Sequence, residues 1–331
     1  MRIGVIGAGA IGGTIAALLD RAGHDVEVTA RGAGLDAIRS GGLLLTGRWG
    51  EHRASIAANE TLGAIPELAF VCTKAQDAAV AIDANASPLA GIPVVIVQNG
   101  LEGLETAAAR LPDSTCIGAL ALYAANYTRP GRVSVTATGN TYLGAGSAEP
   151  TAAIREAAAV LDTAMPTRAA ANFVGCQWTK LIINEVNAMP AITGRSVQQT
   201  IADRRLCRII TAAMREAVRL GMGTGIRFGS LQGLNNAMLR TFARLPLPIG
   251  RALPTLMARR MGATPNLGST LQSLKRGQAT EIDYLSGAVV AAAAAHGRQA
   301  PVNAALVALV HEVERIGRFA SVDDVVAAVG R

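Results

Sequence analysis

The sequence predicts an α/β protein in which a mainly parallel, doubly wound sheet is followed by an all-helical domain. Apolar segments typical of strands recur through the first half of the 331 residues, and most are separated by Ala-rich helical stretches. From about residue 151 the strand signal stops and helical patterns run to the end. Because one core rarely grows beyond about 250–300 residues, we expect two domains, 1–168 and 169–331.

The strand candidates are short apolar runs bounded by turn residues. The first, residues 2–6, leads into a helical pattern at 10–22, which Gly23 ends. Further strand candidates lie at 25–30, 68–72, 93–97, 115–121 and 132–143. Strands that alternate with helices in this way indicate parallel βαβ units.

Composition narrows the function classes. Half of the residues are hydrophobic and 3% are aromatic, which indicates an aliphatic core in a soluble globular protein. The net charge is +7, but the arginines are scattered and few aromatics accompany them, so we expect no nucleic-acid partner. No apolar run approaches the about 20 residues that span a bilayer, and the start resembles no secretory signal, so we expect no membrane association.

The cysteines and histidines give no sign of a metal site. None of them shows the paired spacing of metal ligands, and we predict no metal. The cysteines lie in apolar contexts, which favours buried reduced thiols and a cytoplasmic location. The residues concerned are Cys72, Cys116, Cys176, Cys207, His24, His52, His296 and His311.

The stretch "GVIGAGAIGG" has the G-x-G-x-x-G spacing at Gly7, Gly9 and Gly12. Gly7 permits a tight turn, Gly9 lets a pyrophosphate approach the backbone, and Gly12 lets the helix pack close to the strand. A glycine-rich turn alone is weak evidence, but this one lies between a strand and a helix N-terminus. We therefore predict a Rossmann-type dinucleotide site formed by Gly7, Ala8, Gly9, Ala10, Ile11 and Gly12.

The residues after the next strands favour NADPH over NADH. An NAD site would place an acidic residue at the end of the second strand, whereas "DVEVTARG" ends at Arg31 and has Glu27 in its interior. Arg31 suits a 2′-phosphate, although an exposed surface arginine is the alternative. Lys74 and Asn99 follow two further strands and are expected at the same crevice, Lys74 as a cofactor contact and Asn99 as a contact to nicotinamide or substrate. A solvated lysine and a turn-forming asparagine are the alternatives.

The stretch "CQWTKLIINEVNAMP" at 176–190 has the pattern of a buried helix, yet it carries a lysine and two asparagines among apolar residues. At about 100° per residue, Lys180, Asn184 and Asn187 lie within a wedge of roughly 60° on one helix face, so we expect them to act together. A desolvated lysine has a lowered pKa and can protonate a carbonyl oxygen during hydride transfer. A lysine that merely extends to solvent would leave the two asparagines unexplained.

The stretch "LGSTLQSLKRGQATEID" predicts two helices separated by a break at Gly277. Thr280 and Asp283 have the spacing of a capping box for the second helix, which would place Glu281 in its first turn. From the residues alone, a helix-dipole partner is the favoured role for Glu281. The alternative is a specificity contact, in which Glu281 accepts from a substrate hydroxyl while Ser269 donates to the substrate carboxylate.

With these segments together, including "TKAQD", "VQNG", "WTKLIINEVNAMPAITG" and "TEIDY", the sequence resembles the ketopantoate reductase (2-dehydropantoate 2-reductase) family over nearly its whole length. The resemblance implies NADPH-dependent reduction of ketopantoate to D-pantoate, in pantothenate and coenzyme A biosynthesis. It implies Lys180 as the catalytic lysine and Arg31 and Lys74 as ligands of the adenosine phosphate end. It assigns the substrate or cofactor site to Asn99, Asn184, Ser269 and Glu281.

Three departures accompany the resemblance. Asn187 follows Asn184 one residue sooner than in the best-known members, and Ser273 stands where an aspartate is frequent. The arginine-rich segment 225–262 resembles a longer-chain branch. A reductase acting on another branched or hydroxylated 2-oxo acid and a non-catalytic NADP(H)-binding regulator are therefore the alternatives. The sequence leaves the physiological substrate and a homodimer open.

Overall fold

The computed structural model describes residues 1–262 and 265–329, and the chain divides into two compact units, Met1–Phe173 and Val174–Arg331. Residues 263–264 and 330–331 of the predicted second domain lie outside the described residues. The predicted boundary at 168/169 falls inside a short strand, Thr167–Ala169, which pairs with Thr141–Gly144 and so belongs to the first unit. Three residues next to Pro166 are too few to show a strand pattern, which is why the sequence did not indicate this strand.

The first unit alternates strands and helices. Its strands are β1 (Arg2–Ile6), β2 (Asp25–Thr29), β3 (Leu43–Gly47), β4 (His52–Ala54), β5 (Ala57–Asn59), β6 (Leu68–Val71), β7 (Pro93–Val97), β8 (Thr115–Ala121), β9 (Ala124–Arg129), β10 (Arg132–Ala137), β11 (Thr141–Gly144) and β12 (Thr167–Ala169). Its helices are α1 (Ala10–Arg21), α2 (Gly32–Gly41), α3 (Ala75–Asp83), α4 (Ala86–Leu89), α5 (Gly103–Arg110) and α6 (Ala152–Asp162).

The central sheet has the strand order β12-β11-β8-β7-β6-β1-β2-β5, and its neighbours are parallel except β11 and β8. A smaller sheet has the order β4-β3-β10-β9. The predicted strand 132–143 is wrong, because its two halves, β10 and β11, belong to different sheets. Gly139 lies between them, and a Cβ atom there would be 2.2 Å from the carbonyl oxygen of Leu122. The chain therefore passes from the smaller sheet to the central sheet at a point where its backbone lies close to the backbone of Leu122.

Both faces of the central sheet are buried. Ile3 and Val5 pack into one apolar cluster, and Ile6 packs into a second one on the opposite face. Successive side chains of a strand point to opposite faces, so a strand covered on both sides needs apolar residues throughout. The continuous apolar runs in the sequence have this origin, and the predicted doubly wound fold is confirmed.

The second unit is helical. Its helices are α7 (Phe173–Asn184), which begins at the last residue of the first unit, α8 (Ala188–Thr193), α9 (Val197–Ala202), α10 (Arg204–Gly223), α11 (Asn236–Arg244), α12 (Leu247–Gly250), α13 (Ala252–Arg260), α14 (Gly268–Lys275), α15 (Ser286–Ala295), α16 (Pro301–Ile316) and α17 (Val322–Val329). Short 3₁₀ turns cover Glu185–Asn187 and Ile282–Tyr284. None of the helices described combines the length and apolarity that crossing a membrane requires.

A buried carboxyl group, Glu185, lies in the core of the second unit with 0% exposure. Ser286 Oγ donates to its Oε2 at 2.9 Å, and its Oε1 has no hydrogen-bond partner among the described residues. Burial raises the pKa of Glu185 to about 8; the hydrogen bond from Ser286 opposes this shift and the charge of Glu216 adds to it. Glu216 accepts from the backbone N–H groups of Val302 and Asn303 at 2.9 and 3.0 Å, which suits an ionised carboxylate. Glu185 is therefore mainly neutral at pH 7.

We predict that Glu185→Gln stabilises the protein as pH rises. The unfolded carboxyl ionises near pH 4.5, whereas the folded one resists ionisation up to about pH 8, so the native residue loses stability across this window and the amide does not. Urea unfolding of both proteins at pH 5 and pH 8 measures the difference, with exposed Glu156→Gln as the control. A difference that does not change with pH would show that Glu185 is not a buried neutral acid.

Candidate active site

The predicted cofactor positions of the first unit lie along one edge of its central sheet. Strands β7, β6, β1 and β2 are adjacent and parallel, so their carboxyl ends meet at the same edge. Asn99, Lys74, the glycine turn and Arg31 follow these four strands in that order. In open α/β sheets, ligands bind beyond the carboxyl ends of the strands.

The glycine turn has the backbone geometry that its sequence predicts. Gly7 has φ +94°, and its N–H donates to Thr29 Oγ1 at 3.1 Å, which fixes the turn against β2. A Cβ atom on Gly12 would be 2.1 Å from the carbonyl oxygen of Gly7 and 2.7 Å from Cys72 Cβ, so α1 can approach the sheet only with glycine there. A Cβ atom on Gly9 would meet no described heavy atom within 4 Å. The space beside Gly9 is therefore open.

Helix α1 begins beside this open space. Gly9 is its N-cap residue and provides no side-chain cap, and Gly13 N–H donates to Gly9 C=O at 2.8 Å. The N–H groups of the first turn lack partners within a helix, and the helix dipole places partial positive charge there. An open approach and exposed N–H donors are the features that a bound pyrophosphate requires.

The acidic and basic residues at and after β2 differ in how far the fold already engages them. Glu27 Oε1 accepts from Asn59 Nδ2 and from the Gly63 N–H, both at 2.8 Å, so this carboxylate is already engaged inside the fold. Arg31 is exposed, and it pairs with no carboxylate in the part of the chain that the structure describes. The neighbouring Arg39 donates to Ala58 C=O at 2.9 Å. Arg31 is thus the arginine of this region that can pair with a phosphate.

Two polar groups that the sequence did not single out lie at the same edge. Gln98 Nε2 donates to Thr73 C=O at 3.2 Å and links the ends of β7 and β6. Gln98 Oε1 and Thr73 Oγ1 are buried and have no hydrogen-bond partner among the described residues. In the sequence, Thr73 directly precedes Lys74 and Gln98 directly precedes Asn99, and both of these following residues are half-buried. No spacing in "VCTKAQD" or "VQNG" distinguishes them, because their significance depends on burial, which only the fold reveals.

In the second unit, helix α7 holds Lys180 in an apolar environment. The lysine is 9% exposed, and its neighbours Leu181 and Ile182 are buried. Thr179 Oγ1 lies 2.9 Å from Gly175 C=O and 2.8 Å from Gly229 C=O, contacts that fix the helix against the segment after α10. The buried position of Lys180 is therefore imposed by packing on both sides of it in the sequence.

Burial changes the acid strength of this lysine. It lowers the pKa of Lys180 from 10.5 to about 8, and the negative charge of Glu281 opposes the shift. The ammonium form still predominates at pH 7, but it gives up its proton much more readily than an exposed lysine does. A lysine in this state can act as a general acid.

The predicted single helix over 176–190 is wrong in part, because α7 ends at Asn184 and a 3₁₀ turn leads into α8. The two asparagines nevertheless meet, since Asn187 Nδ2 donates to Asn184 Oδ1 at 3.4 Å. Gly268, at φ +70°, packs on Asn187: a Cβ atom there would be 2.8 Å from Asn187 Oδ1. The first residues of α14, including exposed Ser269, therefore lie beside the asparagine pair.

The segment after α14 corrects a second prediction. Gly277 follows the helix at φ +64°, in agreement with the predicted break, but the next long helix begins only at Ser286. The expected capping box is absent because Asp283 pairs with His311 at 2.9 Å and the Thr280 N–H donates to Glu314 Oε1 at 2.8 Å. Half-buried Glu281 precedes a 3₁₀ turn instead of lying in the first turn of a helix.

At the position where an aspartate is frequent, Ser273 Oγ donates to the backbone carbonyl of Ser269 at 3.2 Å. The second unit therefore offers an acidic ammonium group, an asparagine pair and a carboxylate. Within the described ranges, no group of three or more His, Cys, Asp or Glu side chains is arranged to hold a metal ion. The chemistry that this set supports is proton transfer to an oxygen atom, with hydrogen bonds to orient the reacting molecule.

Comparison with known proteins gives full-length similarities. A 2-dehydropantoate 2-reductase from Pyrococcus horikoshii is 27% identical over 96% of this chain and 99% of its own, and one from Mesorhizobium japonicum is 29% identical over 95% and 98%. The crystal structure of a PanE/ApbA family ketopantoate reductase from Ralstonia eutropha has a TM-score of 0.80 at 27% identity, covering 95% of this chain and 99% of that one.

A D-mandelate dehydrogenase solved with NADH has a TM-score of 0.79 at 18% identity, covering 95% of this chain and 99% of that one, and supports the fold alone. Two family models match the chain. The ketopantoate reductase PanE/ApbA model matches residues 3–148, and the model of the C-terminal part of the same family matches residues 172–314. With both units matched, the chain belongs to the ketopantoate reductase family of oxidoreductases.

Proposed function

We propose that this protein is an NADPH-dependent reductase of 2-oxo acids, with 2-dehydropantoate (ketopantoate) as substrate and D-pantoate as product. The observation that carries the proposal is the buried Lys180, whose pKa is lowered to about 8. It is close to an acidic residue, and its helix also carries Asn184, which bonds to Asn187. Relatives of matching length named 2-dehydropantoate 2-reductase support the choice of substrate. D-pantoate is a precursor of coenzyme A, so the proposed place of the reaction is pantothenate biosynthesis.

Lys180 serves as the general acid of the proposed reaction. NADPH, when bound, supplies the hydride that reduces the carbonyl carbon. The carbonyl oxygen gains negative charge as the hydride is transferred, and the Lys180 ammonium stabilises this charge and gives the oxygen its proton. The product is a hydroxy acid, and Lys180 is left as a neutral amine. Its lowered pKa makes this proton transfer easier than it would be from an exposed lysine.

The first unit provides the proposed cofactor site. The backbone of residues 7–12 and the N-terminus of α1 hold the pyrophosphate, and Arg31 pairs with the 2′-phosphate. Lys74 contacts the adenosine phosphate end, and Asn99 orients the nicotinamide or the substrate. Glu27 already accepts hydrogen bonds from Asn59 and Gly63, whereas Arg31 forms no ion pair within the described residues. This difference supports NADPH as the preferred cofactor.

The second unit provides the proposed substrate contacts. Asn184 orients the lysine or the substrate through its amide, and Asn187 extends the same polar surface. Ser269 donates to the substrate carboxylate, and Glu281 accepts from a substrate hydroxyl. The charge of Glu281 also keeps Lys180 protonated, because it opposes the effect of burial on the lysine pKa.

A panel assay tests the proposal. NADPH oxidation is followed with ketopantoate and with other branched, hydroxylated and aromatic 2-oxo acids, and kcat/KM is expected to be highest for ketopantoate. A clear preference for another 2-oxo acid would agree with the proposed reaction type and contradict ketopantoate as the substrate. Tight NADPH binding without turnover of any member would contradict the enzymatic function and favour a regulator.

We predict that Arg31→Ala weakens NADPH binding by about 10- to 100-fold and leaves NADH binding nearly unchanged. A charge-assisted hydrogen bond contributes about 1.5–3 kcal/mol, and only NADPH carries the 2′-phosphate. Fluorescence titration with both cofactors measures the effect. Arg39→Ala is the matched control, because Arg39 is engaged within the fold. Equal losses of NADPH and NADH affinity would exclude the role of Arg31.

We predict that Lys180→Met lowers kcat by about 10²–10⁴-fold, the usual contribution of a general acid, and leaves NADPH affinity nearly unchanged. The same change is expected to stabilise the protein at pH 7. The folded lysine has a lower pKa than the unfolded one, so the native residue costs stability below about pH 8, and this cost falls as pH rises towards 10.5.

Activity and thermal unfolding of the Lys180→Met variant give the two measurements, with exposed Lys275→Met as the control. A variant that is destabilised at pH 7 and keeps activity within a few-fold of the parent would assign Lys180 a structural role.

A further inference from the structure

A long segment of the second unit carries basic residues that have no part in the proposed reaction. Residues 217–280 contain nine Lys or Arg residues and no Asp or Glu, whereas the whole chain has 31 basic and 24 acidic residues. Such an uninterrupted excess of one charge produces a positive potential that attracts anions. Within this segment, α11, α12 and α13 line an apolar cavity that is open to solvent.

The cavity has a volume of ≈ 430 Å³, within the range of about 300–1,000 Å³ that is typical of small-molecule sites. Apart from the Thr241 hydroxyl, the side chains that line it are apolar, and Phe242 is among the buried ones. Met238, Ile249 and Leu256 also line it, yet they are 43%, 56% and 41% exposed. Three large apolar side chains exposed at one cavity indicate that it takes up an apolar group.

Arginines lie next to lining residues of this cavity in the sequence. Arg240 lies between two lining residues of α11, Arg244 precedes the lining residue Leu245, and Arg251 joins α12 to α13. None of these three arginines forms an ion pair with a carboxylate of the described chain. An unpaired guanidinium beside apolar surface suits a carboxylate or phosphate head group, which it can bind with two parallel hydrogen bonds.

We propose that this cavity binds a single-chain amphiphilic anion, such as a medium- or long-chain acyl carboxylate. The acyl chain fills the apolar cavity, and the carboxylate pairs with arginines at its rim. A second copy of the chain fits less well, because a symmetric contact would bring two carboxylate-free basic segments together. A membrane surface is flat on this scale, whereas the site is a concave cavity with the volume for one chain.

Decanoate is the probe, and decanol, which has the same chain without the charge, is the matched ligand. Isothermal titration calorimetry with the full-length protein is expected to show one saturable decanoate site per chain. Decanol is expected to bind at least about tenfold more weakly, because it lacks the charge-assisted bonds. Raising the salt concentration is expected to weaken the binding of decanoate and to leave the binding of decanol unchanged.

Two variants separate the apolar and charged contributions. Ala252→Phe places a ring at an exposed position of the lining and is expected to abolish binding of both ligands. The triple change Arg240→Gln, Arg244→Gln and Arg251→Gln is expected to weaken decanoate binding about tenfold or more and to leave decanol binding unchanged. The control triple change at exposed Arg48, Arg129 and Arg155 removes the same charge from the first unit and is expected to leave both unchanged. Thermal unfolding verifies that each variant is folded.

Three results would overturn the proposal. Equal affinity for decanoate and decanol would exclude a site for an anion. Flotation with vesicles that contain anionic phospholipid, without decanoate binding, would assign the surface to a membrane. A dimer that Ala252→Phe dissociates, again without decanoate binding, would assign it to a second copy of the chain. Because none of these measurements depends on turnover, they succeed or fail independently of the proposed reductase activity.

Discussion

The removal of one ammonium group from water is the constraint on which the second unit depends. Lys180 is 9% exposed on a helix that also carries the buried Leu181 and Ile182, and its burial lowers its pKa to about 8. A buried cation is costly unless a partner charge is close, and Glu281 supplies that charge from a segment far away in the sequence. The irregular backbone before α15 is what places this carboxylate near the lysine instead of in a helix.

The first unit shows a complementary property, because polar groups at the carboxyl edge of its central sheet have hydrogen-bonding capacity that the fold does not use. Glu27 and Arg39 bond within the fold, while Arg31, Thr73 Oγ1 and Gln98 Oε1 keep unused hydrogen-bonding capacity towards the described residues. The two buried oxygens of Thr73 and Gln98 cost stability in the free protein, and a ligand that bonds to them recovers that cost. Unused polar capacity at the carboxyl edge of the sheet is therefore the structural basis for proposing that a cofactor binds there.

Local patterns allowed much of this to be predicted from the sequence. The glycine spacing predicted the turn at Gly7, and the polar spacing on an apolar helix predicted that Lys180 and Asn184 share a surface. Long-range pairing could not be predicted. Asp283 was expected to cap a helix but pairs with His311, and β10 and β11 were expected to form one strand but join different sheets. The neutral state of Glu185 depends on burial and on Glu216, neither of which a one-dimensional pattern contains.

The fold holds Lys180 as an acid of unusual strength for a lysine, and its pKa can be measured directly. The chain contains only three lysines, Lys74, Lys180 and Lys275, so a protein labelled with ¹³C at the lysine ε-carbons gives few NMR signals, and the Lys180→Met variant assigns the relevant one. Titration from pH 6 to pH 11 is predicted to give a midpoint near 8 for Lys180. A midpoint near 10.5, the ordinary value of an exposed lysine, would contradict the account.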